Sequence, residues 1–499
     1  MTRPLQKTAT ALLLTFGLNA CAVGPNYKEP VLDGAGFSEV ITSDGQRIVY
    51  GEVVDNSWWE SFGDPNLTRL VAEARDANPD ILQAVARLDQ AKAQALAARV
   101  RFLPTLNADG SGRRVNGSTV AGGFGVPPIP QIPEEQDIYT AELGASWEID
   151  LFGRIRRRSE AAVASLEGVE WQRRDVLLAV TARVGLQYAT LVALNEQVAV
   201  AEANIDAASE SVNLTQKLHD AELASEELVL LARSDLRSAE AALPPLRATR
   251  HAAAAQLAIL LGRKPGAAIQ ELIAQAQGPL TLTDIPTGLP SDLLRRRPDV
   301  RLAERQLASA TAGIGAEMAD LFPSFELRGA VGTAALSTDL LFTGAAETWS
   351  YGGFVRVPIF DLARQKADVD RAEALAAEAL AAFDAAILRA LAETEEALTN
   401  FGAAASRLAS LEASVSDQTR AVELVDLRFS QGLASGIDVL DARRRLFSLR
   451  SQAAAAQGEA FRAVVNAHLA LGGGWQTRPP GQKPQRTAAM ADQAATGVQ

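Results

Sequence analysis

The feature that most limits the fold is a pair of very long stretches without proline. No proline occurs between Arg154 and Leu243, nor between Ile359 and Arg478, and a proline would break a helix in its interior. In the first stretch, apolar or small residues recur about every 3.5 positions, the spacing of left-handed coiled-coil packing. We therefore predict a helix over 154–219, about 99 Å long, which far exceeds the size of a globular domain. The recurring residues are Leu166, Val169, Leu177, Val180, Val184, Tyr188, Leu191, Leu194, Val198, Ala201, Ile205, Ala208 and Val212.

A period of two precedes each long stretch. From Tyr139 to Leu151 the odd positions are apolar or small, whereas the even positions are polar or glycine. This alternation predicts a strand with one apolar and one wet face. Residues 349–359 repeat the pattern, and 105–113 and 325–332 provide weaker partner strands. Such strands fit the length of about 9–11 residues that a tilted membrane strand needs, and no apolar run after the first twenty residues predicts a membrane helix.

The two halves of the chain share a pattern that indicates a duplication. Residues 78–110 align without a gap with 297–329, and the matches include Pro79 with Pro298 and Pro104 with Pro323. Further on, 223–225 aligns with 433–435, and the similarity ends where 261–262 aligns with 471–472. Each half therefore predicts a helix, a strand, a loop, a strand, a very long helix, a tight turn and a long helix.

Four strands cannot close a barrel, and open strand edges are not tolerated in lipid. Two chains would supply eight strands, whose side chains fill the interior. Three chains would supply twelve strands and leave a lumen. The fold class that we predict from the residues is mainly α, with two repeated long α-helical hairpins and four strands per chain that close into a β-barrel together with other copies of the chain.

The N-terminus has the layout of a secretory signal. Arg3 and Lys7 precede a short apolar stretch, and Leu18-Asn19-Ala20-Cys21 resembles a bacterial lipobox. Cys21 is the only cysteine of the chain, so we expect it to be acylated, and three acyl chains exceed the two signals needed for stable anchoring. By analogy with lipoprotein sorting, Ala22 in place of an aspartate predicts delivery to the outer membrane. The predicted organisation is a signal peptide at 1–20, a lipidated segment at 21–57, repeats at 58–285 and 286–475, and a disordered tail at 476–499.

The charge and composition argue against several classes of protein. The 48 basic and 60 acidic residues give a net charge of −12, which argues against a nucleic-acid partner. The three histidines are scattered, and no catalytic constellation, metal site or cofactor motif emerges. We therefore expect neither an enzyme nor a cofactor. The Arg295–Asp299 run predicts a structural helix start rather than an anion site.

From about Cys21 to Trp475 the chain resembles the TolC-like outer-membrane factors of tripartite efflux pumps, in particular the NodT family of lipoproteins. The most specific stretch is PSDLLRRRPDVRLAERQLASATAGIGAEMADLFPSFELRGAVG, which starts at Pro290. Trp58-Trp59, the segment WEIDLFGR from Trp147, and Gly472–Trp475 also fit. The resemblance implies a homotrimer with a trimeric, 12-stranded β-barrel and a twelve-helix periplasmic tunnel. It also implies docking to a periplasmic adaptor and an inner-membrane pump, commonly of the RND class.

The resemblance also implies a functional site at the helical turns. It places Asp438 and Asp441 at a narrow periplasmic aperture, where threefold symmetry would form two carboxylate rings that attract cations. Gly432 and Ser435 belong to a turn that would contact the adaptor. The first turn departs from the family, because Glu222 stands where glycine is usual and Leu228 where aspartate is usual.

Three functions remain open at this point. The favoured one is an outer-membrane channel that passively conducts small molecules. A lipid-anchored periplasmic coiled-coil scaffold or adaptor fits the helices equally well but not the alternating strands. An outer-membrane duct for protein secretion fits both. For either aspartate alone, complementing the dipole of its helix would also suffice.

Overall fold

The computed structural model describes residues 22–30, 48–50, 57–116, 135–276, 278, 285–288 and 290–475. Cys21, the predicted signal peptide and the predicted tail lie outside these residues. The chain divides into two compact units. The described residues within 1–30, 89–168 and 303–383 form what we call the sheet unit, and the described residues within 31–88, 169–302 and 384–499 form the helical unit.

Helices account for most of the described chain. Helices α1 and α2 span Pro65–Ala77 and Pro79–Val100, α3 spans Arg154–Asp220, α4 Glu226–Leu260, and α5 Pro265–Gln275. Helices α6 and α7 span Pro290–Arg296 and Pro298–Ala319, α8 spans Leu362–Ser430, and α9 Gly436–Ala470. The strands are β1 (Ile48–Tyr50), β2 (Thr105–Asn116), β3 (Glu135–Ile149), β4 (Ile285–Gly288), β5 (Ser324–Ala335) and β6 (Glu347–Arg356).

The lengths of these elements repeat between the two halves. Helices α2 and α7 both have 22 residues, β2 and β5 both have 12, and α4 and α9 both have 35. The very long helices α3 and α8 have 67 and 69 residues. The duplication read from the sequence is thus matched element by element. The boundaries of the repeats stay a prediction, because each compact unit contains pieces of both halves.

Four antiparallel strands of the sheet unit form one sheet in the order β2-β3-β5-β6. In this sheet Leu143 lies opposite Ala108 and Val331, and Val331 lies opposite Trp349. Residues opposite each other point to the same side of a sheet. The apolar positions of all four strands therefore share one face, as the alternation from Tyr139 predicted.

The strand ends differ from the prediction for local reasons. Strand β3 ends at Ile149 rather than Leu151, because the Asp150 carboxylate accepts hydrogen bonds from the backbone N–H groups of Ile155 and Arg156 and caps α3. Strand β6 ends at Arg356 rather than residue 359, shortly before Pro358, which has no N–H to donate. The strands β2 and β5 extend further than predicted, to Asn116 and Ala335.

The core of the helical unit contains the middle of α3. The apolar spacing is confirmed there, since Val180, Val184, Tyr188, Leu191, Leu194 and Val198 are buried. From Ala201 onward the corresponding residues are only half-buried. Against the prediction, α3 has an 18-residue window apolar enough to cross a membrane by length and composition, but 61% of that window is buried inside the protein. Its apolar character is therefore explained by packing in the core.

Arg297 joins three helices of the helical unit, which confirms the structural interpretation of the arginine run. It is 7% exposed and lies between α6 and α7. Its guanidinium pairs with Asp299 at 2.8 Å and Glu393 at 2.6 Å, and donates to the carbonyl oxygen of Ala470 at 3.1 Å. Ala470 ends α9, so the arginine also neutralises the negative end of that helix.

Candidate functional site: the hairpin turns and the apolar sheet face

Two turns of five residues lie side by side in the helical unit. Turn 1 (221–225) joins α3 to α4, and turn 2 (431–435) joins α8 to α9. A Cβ added at Gly436 would lie 2.8 Å from Cδ2 of Leu228. The start of α9 thus packs against the start of α4, and a side chain at position 436 would require Leu228 to move.

The two turns have the same backbone geometry. In turn 1 the N–H of Leu223 donates to the carbonyl of Leu218 at 2.8 Å, and in turn 2 that of Leu433 donates to Arg428 at 2.8 Å. This bond belongs to a helix end that requires one residue in the left-handed region. That residue is Gly432 in turn 2, with φ 74°, and Glu222 in turn 1, with φ 62°. Within the described residues, Glu222 is the only non-glycine residue with positive φ.

The predicted site residues Ser435 and Asp438 cap α9 together. The Asp438 carboxylate accepts hydrogen bonds from the N–H of Ser435 at 2.8 Å and from its Oγ at 2.7 Å. In return, the N–H of Asp438 donates to Ser435 Oγ at 3.2 Å. These bonds to Ser435 favour the ionised carboxylate and lower the pKa of Asp438. Turn 1 has only the Ser225 half of this capping box, because Leu228 stands in the position of Asp438.

The other predicted carboxylate, Asp441, belongs to a network that the sequence did not reveal. Its Oδ1 lies 3.0 Å from Arg444, and the same guanidinium lies 2.9 Å from Asp235 of α4. The neighbouring Arg443 lies 3.2 Å from Asp426 of α8 and donates to Ser211 of α3 at 3.2 Å. Two adjacent arginines of α9 therefore hold the other three long helices. In the sequence, the only sign of this network is the run of arginines at 443–445. The partners of Arg443 and Arg444 on α3, α4 and α8 are distant in sequence and cannot be identified from it.

The turns differ in charge although their backbones agree. Turn 1 and the adjoining helix ends expose four carboxylates, at Asp220, Glu222, Glu226 and Glu227, whereas the equivalent residues 430–437 contain none. Over the described part of the chain, no group of three or more His, Cys, Asp or Glu side chains could hold a metal ion. The chemistry that this region offers is therefore charge and hydrogen bonding at helix ends.

The second candidate site is the apolar face of the sheet. Its outward residues are strongly exposed, for instance Trp349 at 71% and Tyr351 at 83%. From Tyr139 to Ile149 the face is about 34 Å long along the strand, or about 24 Å across a membrane at a tilt of ~45°. At its far end the same face carries the ion pair of Arg114 and Asp137, 2.8 Å apart. An apolar band of membrane thickness thus meets charge at this end.

Known proteins resemble this chain over almost its full length. Residues 70–263 and 289–473 match the family described as outer membrane efflux protein. Nodulation protein T of Rhizobium leguminosarum bv. trifolii is 30% identical, with 92% of this chain and 95% of the relative aligned. The pyoverdine export outer membrane protein of Pseudomonas aeruginosa is 32% identical, with 84% of this chain and 88% of the relative aligned.

Solved structures support the same assignment. The outer-membrane channel OprN superposes with a TM-score of 0.81 at 31% identity, with 92% of this chain and 100% of the other covered. The Campylobacter jejuni CmeC outer membrane channel superposes with a TM-score of 0.83 at 22% identity, with 96% and 99% covered, and shows the fold. The helical hairpins, the single four-stranded sheet and these matches lead to one conclusion: the chain is an outer-membrane efflux channel subunit and belongs to the outer membrane efflux protein family.

Proposed function

We propose that three copies of this chain close into a 12-stranded barrel and form the outer-membrane duct of a tripartite efflux system. The sheet carries this proposal. Within the described residues, β2 pairs only with β3 and β6 only with β5, so each chain has two open strand edges beside an exposed apolar face. Lipid does not tolerate such edges. Pairing β6 of one copy with β2 of the next satisfies every edge in a closed ring.

Native mass spectrometry of the detergent-solubilised protein tests the closure. We expect a trimer, and reconstituted protein should conduct ions in planar bilayers. A protein that remains monomeric or stops at dimers would contradict the barrel, and so would a trimer without conductance. The last outcome would favour the alternative of a lipid-anchored coiled-coil scaffold.

The cargo that we propose is small organic molecules. Relatives are named for pyoverdine export, for toluene efflux and for antibiotic efflux. A strain without this channel should accumulate a fluorescent small-molecule dye, and the intact gene should restore efflux. Secreted protein should be unchanged in the culture medium. Loss of secreted proteins with unchanged dye accumulation would instead support a secretion duct.

The partners that we propose are a periplasmic adaptor and an inner-membrane pump of the RND class, with the adaptor docking at the hairpin turns. Leu223 and Leu433 occupy equivalent positions in the two turns and are 76% and 65% exposed. Turn 2, with Gly432 and Ser435, has the family's residues and is the expected contact. Leu433→Glu should therefore abolish co-purification of the adaptor, whereas Leu223→Glu serves as the matched control and should weaken it less. Equal effects would place both turns in the contact.

The lipid anchor that we propose is attached at Cys21, at the end of the lipobox. Mass spectrometry of the mature N-terminus should find a diacylglyceryl thioether and an N-acyl group on this residue. Cys21→Ser should impair processing more than it alters channel architecture, because the strands also hold the protein in the membrane. An unmodified thiol, or cleavage at another position, would end the proposal of a lipoprotein.

The aperture that we propose is lined by Asp438 and Asp441. Each has a local partner, in Ser435 and Arg444, yet both keep exposed carboxylate surface. Replacing both by alanine should lower cation selectivity in planar bilayers and weaken block by trivalent cations. Ser435→Ala is the control, since it disturbs the cap but leaves both charges. If the double variant keeps its selectivity and its block, the aspartates serve only as helix caps and surface charges.

A further inference from the structure

The segment that directly follows Cys21 packs against other elements of the sheet unit, and one buried arginine holds it there. Arg157 of α3 is 5% exposed. Its Nε donates to the carbonyl oxygen of Val23 at 3.1 Å, and its Nη2 donates to the carbonyl oxygen of Gly24 at 3.2 Å and to Oδ1 of Asn26 at 2.8 Å. The remaining nitrogen, Nη1, lies 2.8 Å from Glu160. The guanidinium thus donates three hydrogen bonds to three residues within the short stretch 23–26.

Glycines open the space in which the segment lies. A Cβ at Gly315 would lie 2.8 Å from Nε of Arg157, and a Cβ at Gly153 would lie 2.8 Å from Cα of Ala22. Gly24 has φ 93° and packs directly against the backbone of Gly315. Of the Gly313–Gly315 pair, which has no phosphate-binding context, Gly315 therefore has a packing role, whereas a Cβ at Gly313 would meet no atom within 4 Å. The side chains that would exclude the segment are missing at the places where it passes.

A second contact fixes the segment further along. The hydroxyl of Tyr27 donates to the Glu304 carboxylate, and the guanidinium of Arg305 lies 5.5 Å from the centre of the tyrosine ring. Burial and the neighbouring Glu304 raise the pKa of Tyr27, so this hydroxyl stays a donor over the whole physiological pH range. Arg305 in turn lies 2.8 Å from Glu167 of α3.

These contacts hold residues 22–30 close to the end of a strand. The N–H of Val23 donates to the carbonyl oxygen of Phe152 at 3.1 Å, three residues after the end of β3. We infer that residues 22–30 are a non-covalent clasp, with Arg157 as its positioning residue, that fixes Ala22, the residue after Cys21 in the sequence, beside the strand–helix junction of its own chain. The clasp determines where acyl chains on Cys21 enter the membrane, and in this it rests on the proposed lipid anchor. The contacts themselves do not require acylation.

Limited trypsin digestion of the intact, detergent-solubilised channel tests the clasp. Lys28 is exposed but lies inside the clasp, so cleavage after it requires the segment to detach. Arg157→Ala should raise the rate of this cleavage at least about tenfold, since several charge-assisted hydrogen bonds are lost. Arg157→Lys should restore part of the protection. Arg158→Ala is the matched control, because Arg158 pairs with Asp320 instead, at 3.2 Å, and its rate should stay at the wild-type level.

Gly24→Ala keeps Arg157 intact and should also detach the segment, because the added Cβ would collide with the backbone of Gly315. This variant therefore tests the clasp if Arg157→Ala does not assemble. The thermal midpoint and the oligomeric mass of Gly24→Ala should match those of the wild type. Unchanged cleavage in both variants would overturn the clasp.

The mass of the released 21–28 fragment separates this inference from the lipid anchor. An acylated fragment whose release does not depend on Arg157 would retain the anchor and remove the clasp. A fragment without acyl chains, protected in the wild type and released in Arg157→Ala, would retain the clasp and remove the anchor.

Discussion

Replacing Glu222 by glycine should stabilise turn 1. Glu222 adopts φ 62°, and the left-handed region costs a residue with a Cβ about 1–2 kcal/mol. Glycine removes this strain but loses more backbone entropy on folding, about 0.5–1 kcal/mol. At the middle of these two ranges the net gain in the free energy of local opening is about 0.75 kcal/mol, which slows amide exchange in the turn about three- to fourfold.

Hydrogen-exchange mass spectrometry of peptides that cover 218–228 measures this effect. Glu222→Ala is the control, because alanine removes the charge but keeps the Cβ and therefore the strain. Gly432→Ala provides the reciprocal test in turn 2, where a Cβ would meet no atom within 4 Å, so only the backbone term should appear and exchange should accelerate. If Glu222→Ala slows exchange as much as Glu222→Gly, repulsion among the turn 1 carboxylates explains the effect and the reasoning from backbone strain is wrong.

Three further predictions concern the sheet, the capping box and the buried arginine. Leu143→Arg should destabilise the membrane-inserted protein by about 2–4 kcal/mol if the residue lies near the bilayer midplane, whereas Ser146→Arg on the opposite face should be mild; equal tolerance in folding assays in lipid would contradict the assigned faces. Because the pKa of Asp438 is lowered in the folded protein, its stabilising effect is present above the unfolded pKa and is lost as the pH falls through the folded pKa. Asp438→Asn should therefore lower the thermal midpoint at pH 7 but not at acid pH, and an equal difference at both would refute an ionic cap. Arg297→Met should destabilise the helical unit by about 3–5 kcal/mol, because it leaves two carboxylates and a helix end without their cation; an unchanged unfolding midpoint would show that they find other partners.

The sequence predicted those parts of the fold that have a local period. The 3.5-residue spacing gave α3, the alternation from Tyr139 gave β3 and its faces, and the internal alignment gave the second copy of each element. Periodicity is visible in sequence because the same environment recurs every turn or every second residue. It does not show which helices touch, so the contacts of Arg157, Arg297 and Arg444 with distant partners emerged only from the structure.

Rules based on local sequence also failed at two places in the fold. Helix α4 continues through Pro244 and Pro245, although proline lacks the N–H that continues a helix. Residues 240 and 241, whose carbonyls lose their partners, are exposed, so water can replace the missing bonds. The short parallel pair of β1 and β4 was missed for a different reason. It has only three and four residues, too few for a period to appear.

The equal backbones and unequal charges of the two turns have a consequence for assembly. A trimer of this chain would carry six hairpin ends with one geometry but two chemistries, three with four carboxylates each and three without any at the turn itself. A ring of identical partner subunits would contact the backbone of all six hairpin ends in the same way, because duplication has preserved the backbone geometry. The side chains of the partner ring would nevertheless meet two different surfaces, turn 1 and turn 2. This difference would fix the rotation of the partner ring relative to the trimer. Duplication would thus give the six hairpin ends a common backbone geometry. Later divergence at residues such as Glu222 would make the charges at these ends threefold symmetric.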